Sequence, residues 1–576
     1  MRTTYNKYPE VNVQGYDNHA WQGWSSIHSV INTRISGATK TVLIVDCYPG
    51  VRLDELEQQL IRTFDTALVL NIESARRDEQ ALHDLLARNL TDDRVFGVLS
   101  CHHLDEFFDS DKLSLLRQQI DAVSEGLVVV YGSGAVLAHP GDVLVYADLP
   151  RWEIQQRMRH NGLGNWGAEN QDEDILRRYK RAFFIEWRVF DKHKTPLLKR
   201  ADYLLDTTVE NSPAMGSAGL QQTTQQPFRV APFFDPGVWG GQWMKQRFDL
   251  DPSAPNYAWC FDCVPEENSL LLRFGNVRIE IPSQDLVLTC PRPLLGEKVH
   301  ARFGAEFPIR FDFLDTIGGQ NLSFQVHPLT EYIQQQFGMH YTQDESYYIL
   351  EAEPDAVVYL GTKTGIAPQD MLDDLRAAGR GEKTFDDERF VNQIPAHKHD
   401  HFLIPAGTVH CSGAGTMVLE ISATPYIFTF KLWDWGRLGL DGLPRPVHLD
   451  HGQQVIDWQR DTQWVHDNLV NRIEPIAEGE GWREERTGMH EREFIETRRH
   501  WFTAPVTHHT HGGVNVLNLV EGAQAVVESP SGAFAPFVVN YAETFIIPAA
   551  VGEYRISPFG KGIGQQLATI KAWVRG

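Results

Sequence analysis

The stretch Leu322-Ser-Phe-Gln-Val-His-Pro328 decides the fold of the second half of the chain, together with Glu345 in Asp-Glu-Ser-Tyr-Tyr-Ile-Leu and His410 in Ile-Pro-Ala-Gly-Thr-Val-His. Gln325 and His327 are two residues apart, so in a strand both side chains point to one face. Glu345 opens an aromatic and β-branched run typical of a second strand, and a Pro-Ala-Gly turn places His410 at the start of a third. The sequence therefore predicts a β-barrel that collects polar side chains from several strands.

These four side chains are metal ligands by type. Two imidazoles, one carboxylate and one amide oxygen suit a divalent ion and leave room for water or substrate, which favours a catalytic ion over a structural one. We predict one zinc ion per chain, held by Gln325, His327, Glu345 and His410.

The motifs around the ligands resemble those of the class I mannose-6-phosphate isomerases, zinc-dependent cupins that interconvert an aldose phosphate and its ketose phosphate. The resemblance covers about residues 225 to 576. The matching strings are Gly237-Val-Trp-Gly-Gly241, Phe313-Leu-Asp315, Leu322 to Pro328, Asp344-Glu-Ser-Tyr-Tyr348, Ile404 to His410, Val418-Leu-Glu-Ile421, Trp433-Asp-Trp435 and Phe545 to Tyr554.

The resemblance implies an isomerase that moves a proton between two sugar carbons. It assigns Glu420 as the candidate general acid/base. A glutamate on the solvent face of a strand is the alternative interpretation of that residue. Lys431 stands where the family has an arginine and would stabilise the charge that develops on the enediolate.

The chain departs from the family where phosphate would bind. Asp312 replaces a family lysine, and Gln343 and Asp344 replace a basic residue before the ligand glutamate. A phosphate dianion requires charge-assisted donors, so we expect weak binding of mannose 6-phosphate unless Arg437 or Lys363 enters the pocket.

Three functions stay open at this stage. The first is a zinc-dependent isomerase of mannose 6-phosphate to fructose 6-phosphate. The second is a metal-dependent cupin isomerase that acts on an unphosphorylated or different sugar, and the third is a non-catalytic sugar-sensing protein. The complete ligand set argues against the third, and the lost basic residues favour the second over a plain copy of the first.

The first 210 residues predict a doubly wound α/β domain, because short continuous apolar runs alternate with amphipathic stretches. The predicted strands are Lys40–Asp46, Ala67–Asn71, Val95–Leu99, Leu127–Tyr131 and Val143–Tyr146. The order of features resembles a P-loop nucleoside or sugar kinase, but the phosphate loop is degenerate. Asp46 would repel phosphate, Val51 carries a Cβ where the backbone must approach the ligand, and Leu53 has no hydroxyl for magnesium. Only Arg52 could mimic the loop lysine, so we predict a packing or regulatory module; a weak nucleotide-binding kinase is the alternative.

The predicted organisation is multidomain. Residues 1–210 form the P-loop-like α/β domain, 211–227 a linker, and 228–470 the metal-binding cupin (jelly-roll) domain with a helical insertion near 366–392. Residues 471–576 form a second, smaller cupin-like β domain.

Two histidine clusters and one cysteine pair carry weaker signals. His397–His401 is interpreted as a solvated turn rather than a second ion site. Whether the His508–His511 cluster binds metal stays open, with a surface loop as the default. Cys260 and Cys263 are interpreted as reduced thiols on a strand.

Composition predicts an ordinary cytoplasmic enzyme. The 576 residues carry a formal charge of −23 and no basic tail, which argues against nucleic-acid and anionic-membrane partners. The N-terminus has no apolar signal region. The expected partner is a small-molecule sugar or sugar phosphate, and the oligomeric state stays open.

Overall fold

The computed structural model describes residues 4–160, 162–217, 219–423, 427–439, 442, 445–488 and 490–576. The chain divides into two compact units. The α/β unit comprises residues 10–223 and 265–290, and the β unit comprises residues 4–9, 224–264 and 291–576.

The strands of the described residues are, in chain order, β1 (Glu10–Asn12), β2 (Ala20–Gln22), β3 (Lys40–Cys47), β4 (Leu68–Asn71), β5 (Gly126–Gly132), β6 (Val143–Asp148), β7 (Tyr203–Asp206), β8 (Ala214–Gly216), β9 (Phe233–Asp235), β10 (Trp259–Cys263), β11 (Ser269–Phe274), β12 (Val277–Pro282), β13 (Ile309–Asp315), β14 (Phe324–Val326), β15 (Glu345–Ala352), β16 (Val357–Thr362), β17 (Val391–Pro395), β18 (His401–Ile404), β19 (His410–Ser412), β20 (Thr416–Ala423), β21 (Phe430–Trp433), β22 (Glu474–Gly479), β23 (Trp482–Arg486), β24 (Ile495–Phe502), β25 (Val506–His509), β26 (Asn515–Glu521), β27 (Gln524–Glu528), β28 (Phe537–Asn540), β29 (Thr544–Ile547), β30 (Glu553–Pro558) and β31 (Leu567–Val574).

The α-helices of the same residues are α1 (Trp24–Ile35), α2 (Leu53–Gln59), α3 (Glu79–Leu90), α4 (Ser110–Ala122), α5 (Arg151–Arg159), α6 (Ile175–Arg181), α7 (Trp187–Leu198), α8 (Leu220–Thr223), α9 (Trp243–Arg247), α10 (Ser283–Thr289), α11 (Pro291–Leu295), α12 (Glu297–Phe303), α13 (Thr330–Phe337), α14 (Pro368–Gly379), α15 (Asp387–Phe390), α16 (Leu449–Gly452) and α17 (Thr462–Asn468). Among the described residues, no helix is long and apolar enough to cross a membrane.

A seven-stranded sheet forms the centre of the α/β unit, in the order β2-β8-β7-β6-β3-β5-β4. Strands β3 to β7 pair in parallel, and β8 and β2 add antiparallel pairs at one edge. Every residue from Thr41 to Cys47 in β3 is buried, as expected for a central parallel strand covered on both faces.

The predicted strand at Val95–Leu99 is wrong. This apolar run has an irregular backbone, and Asn89 of α3 forms hydrogen bonds with its backbone N–H and C=O groups. The Asn89 backbone oxygen accepts the N–H of Val98, and its side-chain amide donates to the Val98 and Leu99 oxygens. Phe96 is still buried, so an apolar pattern alone could not separate this loop from a strand.

The segment 265–290 belongs to the α/β unit, although it lies inside the range 228–470 that the sequence assigns to the cupin domain. Its hairpin β11–β12 and the strand β1 form a three-stranded sheet, with β1 parallel to β11. Helix α10 follows the hairpin directly. The predicted linker 211–227 is also partly ordered, because β8 and α8 lie within it.

Two sheets of the β unit carry the predicted metal ligands. Their strand orders are β18-β15-β20-β13-β10-β9 and β17-β16-β19-β14-β21, and we call them together the first barrel. Helices α14 and α15 lie between β16 and β17, within the expected insertion.

A second pair of sheets follows, in the orders β22-β23-β24-β31-β26-β29 and β25-β30-β27-β28. Their facing residues form a buried apolar cluster that includes Phe502, Leu517, Val527, Phe545 and Ile556. The chain is therefore multidomain and rich in sheet, as predicted.

Candidate metal centre

Strand register brings three of the predicted residues onto one face of the first barrel. Gln325 in β14 lies directly opposite His410 in β19 and opposite Lys431 in β21. Directly opposed residues of antiparallel strands point to the same face. In the other sheet of the first barrel, Asp312 in β13 lies opposite Glu420 in β20, so these two side chains also share a face.

Two histidines and one glutamate meet at the centre of this face. Nε2 of His327 lies 3.1 Å from Oε2 of Glu345, and Nε2 of His410 lies 2.8 Å from Oε1. All three side chains are fully buried. Among the residues that the structure describes, this is the one group of three or more His, Cys, Asp or Glu side chains whose ligand atoms converge within 4.8 Å.

Backbone carbonyls fix the orientation of both imidazoles. Nδ1 of His327 lies 3.3 Å from the oxygen of Phe428, and Nδ1 of His410 lies 2.9 Å from the oxygen of Thr408. A carbonyl can only accept, so Nδ1 of each ring carries a proton and Nε2 of each ring is directed toward Glu345. Two imidazole nitrogens and a carboxylate that converge in a buried site could hold a metal ion. The donor set fits zinc, for which such carbonyl-oriented histidines are typical ligands.

Gln325 stands beside this group. The Nε2 atom of its amide lies 3.3 Å from Nε2 of His410. The amide oxygen is the ligand atom that this side chain can offer to an ion.

Glu420 lies inside the barrel, so the solvent-face interpretation of this residue does not hold. Burial, with Asp312 and Glu345 nearby, raises the pKa of Glu420 well above its ordinary value. Gln343 links the carboxylates, since its Nε2 donates to Glu345 at 2.9 Å and to Glu420 at 3.3 Å. The Glu420 carboxyl group therefore holds a proton more readily than an ordinary glutamate, as suits a group that takes up and returns a proton.

Asp312 carries a partner that the sequence analysis missed. Nη2 of Arg310 donates to its Oδ2 at 3.1 Å, and both side chains are buried. Burial raises the pKa of Asp312 to about 6 although Arg310 lowers it. The signal was available, because residues two apart on a strand share a face. Arg310 thus brings a positive charge to the face that carries Asp312.

Lys431 faces the site from β21 and lies near the charged side chains of Asp434, Arg437 and Arg445. Burial, together with Arg445 and Arg437, lowers the pKa of Lys431 to about 7, although Asp434 raises it. Arg445 lies 2.8 Å from Asp434 and 3.1 Å from the Ser323 hydroxyl.

The two other basic residues considered as phosphate contacts, Arg437 and Lys363, lie in different places. Arg437 pairs with Asp434 and donates to the oxygen of Asn321 at 2.6 Å, so it belongs to the group beside Lys431. Lys363 donates to the backbone oxygen of Glu388 and lines a separate surface pocket with Asn392 and His466. The structure does not bring Lys363 to the metal centre.

Asp344 does not face the ligands. Its Oδ1 accepts the N–H of Ala406 at 2.8 Å and so holds the turn before β19. Burial raises the pKa of Asp344 to about 6, although the bond from Ala406 lowers it.

The remaining motifs lie away from this centre. In the cluster His397–His401, His397 is exposed and pairs with Asp400, as expected for a solvated turn, but His401 is fully buried in β18, so the prediction is wrong for that residue. His508 is buried and stacks on Tyr554, whereas His509 and His511 are exposed. Cys260 and Cys263 lie buried in β10 as free thiols.

In the α/β unit, the residues that the sequence analysis compares with a phosphate loop make other contacts. Asp46 accepts the N–H groups of Gly134 at 3.2 Å and Val136 at 2.9 Å. Arg52 lies 3.8 Å from Glu210 and 4.0 Å from Glu153. Leu53 is the first residue of α2.

Fold and site together define a multidomain, sheet-rich protein with a buried His–Glu–His group that could bind a metal. A family model described as a domain of unknown function, DUF8485, matches residues 23–226. The chain is 25% identical over 221 residues to the mannose-6-phosphate isomerase of Streptococcus mutans, which covers 38% of this chain and 64% of that protein. It is 24% identical over 235 residues to mannose-6-phosphate isomerase ManA of Bacillus subtilis, covering 41% and 69%.

The solved structures that resemble this chain include similarly named isomerases. The mannose 6-phosphate isomerase from Bacillus subtilis is 18% identical, with a TM-score of 0.49, and the match covers 60% of this chain and 99% of that chain. A phosphomannose isomerase variant from Salmonella typhimurium is 14% identical with a TM-score of 0.47, over 61% and 100%. The relatives are thus sugar-phosphate isomerases that match part of this chain at low identity.

Proposed function

We propose that this protein is a metal-dependent aldose–ketose isomerase. The observation that carries the proposal is the convergence of two oriented imidazole nitrogens on the Glu345 carboxylate in a buried barrel face that also holds Glu420 and Lys431. The curated relatives, which are mannose-6-phosphate isomerases, support the same reaction class. The matched stretch spans about two thirds of their length, so their activity is proposed for this chain.

The chain supplies the proton chemistry of this reaction. We propose that Glu420 transfers the proton between C1 and C2 of the sugar, because its buried carboxyl group has a raised pKa. Lys431, with a pKa of about 7, would stabilise the negative charge of the enediolate. Gln325, His327, Glu345 and His410 would hold zinc, which when bound polarises the sugar oxygens.

The substrate is a sugar or a sugar phosphate. Arg310 compensates the charge of Asp312, and Arg437 and Arg445 place further positive charge near Lys431. Phosphate therefore has cations to contact, although not the ones that the family uses.

A specific observation favours a second candidate, an isomerase of unphosphorylated sugars. Oδ1 of Asp312 is buried without a hydrogen-bond partner, and an added carboxylate in this position repels a dianion and accepts sugar hydroxyl groups.

A turnover screen of the zinc-loaded protein against free and phosphorylated aldoses tests the proposal. We expect ketose formation that disappears on chelation and returns with zinc. A zinc-loaded, folded protein that converts none of these sugars would leave the non-catalytic sensing role as the better explanation.

The variant Asp312→Lys separates the two substrate classes, with Asp312→Asn as the matched control. If Asp312 weakens phosphate binding, Asp312→Lys should raise kcat/KM for mannose 6-phosphate by roughly tenfold to a hundredfold, because one charge-assisted contact contributes about 1.5 to 3 kcal/mol. The value for mannose should not rise. A high wild-type value for mannose 6-phosphate that this change leaves unaltered would mean that other groups hold the phosphate.

A further inference from the structure

Two buried cations, Arg151 and Lys194, and the half-buried Arg188 gather at the carboxyl ends of the parallel strands in the α/β unit. Arg151 begins α5 directly after β6, and Arg188 and Lys194 lie on α7. The side chains of Arg151 and Lys194 are only 3% and 2% exposed. The carboxyl ends of parallel strands are where open α/β sheets bind their ligands, and convergent guanidinium groups are typical of sites for oxyanions.

Two carboxylates from the segment 265–290, those of Glu266 and Asp285, form ion pairs with these cations. Oε1 of Glu266 lies 2.7 Å from Nη1 of Arg151 and 2.5 Å from Nη2 of Arg188, so both guanidinium groups contact the same oxygen. Asp285 lies 2.7 Å from Nζ of Lys194, which also contacts Asp148 at 3.0 Å. Glu266 is separated from Arg151 by 115 positions, so tertiary folding creates this contact.

Charge explains why Glu266 is held in this position. Burial alone would raise the pKa of Glu266, but the two guanidinium groups hold it at about 2, so the carboxylate is ionised. Asp191 contacts Arg151 at 2.5 Å from the other side. Without Glu266, Arg151 and Arg188 would lose the carboxylate oxygen that both contact, and Asp191 and Glu267 would be left as the nearby acidic groups.

We propose that Arg151 and Arg188 form a binding site for a small oxyanion, phosphate or carboxylate, which Glu266 of the same chain fills as an internal ligand. The segment 265–290 then takes the place of an external ligand in the α/β unit. Removal of the Glu266 side chain opens the site to free anions, and the wild-type protein excludes them.

The test is thermal unfolding of the full chain carrying Glu266→Ala, in phosphate or acetate against chloride at constant ionic strength. We expect the variant to unfold about 6 to 12 °C below wild type in chloride. Millimolar phosphate or acetate should raise its Tm along a saturating curve, and the difference between the two anions shows which oxyanion the site prefers. Wild type and the exposed control Glu210→Ala should not respond.

A folded Glu266→Ala protein without an anion-specific rise in Tm would contradict the proposal. If this variant does not fold in chloride, refolding in phosphate supports the site, and failure in both salts passes the decision to Glu266→Ser. That variant keeps a small polar group and removes the carboxylate that fills the site, so its Tm must rise with phosphate; no rise overturns the site. Binding of ATP or phosphate by wild type that Arg151→Met abolishes would show that the site is open, and would overturn the role of Glu266.

Discussion

At the scale of single residues, hydrogen bonds outside the ligand set decide what the metal centre can do. The oxygens of Phe428 and Thr408 orient His327 and His410, and neither contact is visible in the motif itself. These carbonyl contacts set the tautomer of each ring, and the tautomer sets which nitrogen meets an ion.

The first residue-scale prediction concerns metal content. The wild-type protein should bind one zinc ion per chain, and His327→Ala and His410→Ala should each lower the bound zinc severely, by at least tenfold in affinity, because each removes a direct ligand. Elemental analysis after dialysis measures this, with the exposed His509→Ala as the control. Unchanged zinc in both ligand variants would show that the ion, if any, binds elsewhere.

The second residue-scale prediction concerns Glu420. Glu420→Gln keeps the shape of the side chain and removes its exchangeable acid proton, so kcat should fall by about 10² to 10⁴. Zinc content should stay at the wild-type level, since Glu420 is not a proposed ligand. Loss of zinc together with activity would indicate a structural role for Glu420 instead.

At the scale of elements, paired strands bury polar residues as well as apolar ones. His401 in β18 is fully buried opposite Tyr348 in β15. Burial and the nearby Arg499 lower the pKa of His401 to about 3. The ring is therefore neutral in the folded protein over most of the pH range, whereas in the unfolded chain it titrates near 6.5.

The pH prediction follows from this difference. Because the folded pKa lies below the unfolded one, the unfolded state binds the extra proton, and stability is lost as the pH falls from 6.5 toward 3. His401 should account for about 3 kcal/mol of the loss between pH 6.5 and pH 4, at 1.36 kcal/mol per pH unit.

Urea unfolding of the metal-free protein at several pH values measures this loss, and His401→Gln should show a flatter dependence. His509→Gln, which changes an exposed ring, serves as the control. Equal slopes in His401→Gln and wild type would mean that His401 does not titrate differently on unfolding.

At the scale of the whole molecule, the chain order does not follow the units. The described residues 4–9 belong to the β unit, the chain then forms the α/β unit, and residues 224–264, 265–290 and 291–576 alternate between the two. Within the β unit, Arg229 links distant parts of this path. Its guanidinium donates to the oxygens of Asn6 at 2.9 Å and Thr544 at 3.0 Å, and contacts Asp262 at 3.2 Å and Glu543 at 2.9 Å.

We predict that Arg229→Met destabilises the β unit by about 3 to 5 kcal/mol, because it leaves two buried carboxylates without their cation. Arg292→Met, which removes a guanidinium that is 68% exposed, should change the free energy of unfolding by less than about 1 kcal/mol. Denaturant unfolding of both variants makes the comparison. Similar small effects in the two proteins would show that the buried Arg229 contacts are not needed for stability.

The sequence by itself determined the character of the two halves and the candidate ligand set. The alternation of side chains between the two faces of a strand is a local property, and it can be predicted around Gln325, His327, Glu345 and His410. The residue type alone shows which of these side chains can bind a metal. Strand periodicity placed four of the five predicted apolar runs of the first 210 residues in strands, and failed at Val95–Leu99, where the side chain of Asn89 satisfies the backbone.

Only the tertiary structure decided which distant residues meet. It paired Arg310 with Asp312, turned Asp344 away to Ala406, and kept Lys363 outside the metal centre. It also placed Glu266 on the arginines of the α/β unit, a contact that no local pattern encodes. The physical reason is that a local sequence pattern specifies a face and a periodicity, whereas the partner of a buried charge depends on the chain path, and the cost of leaving such a charge unpaired selects that path.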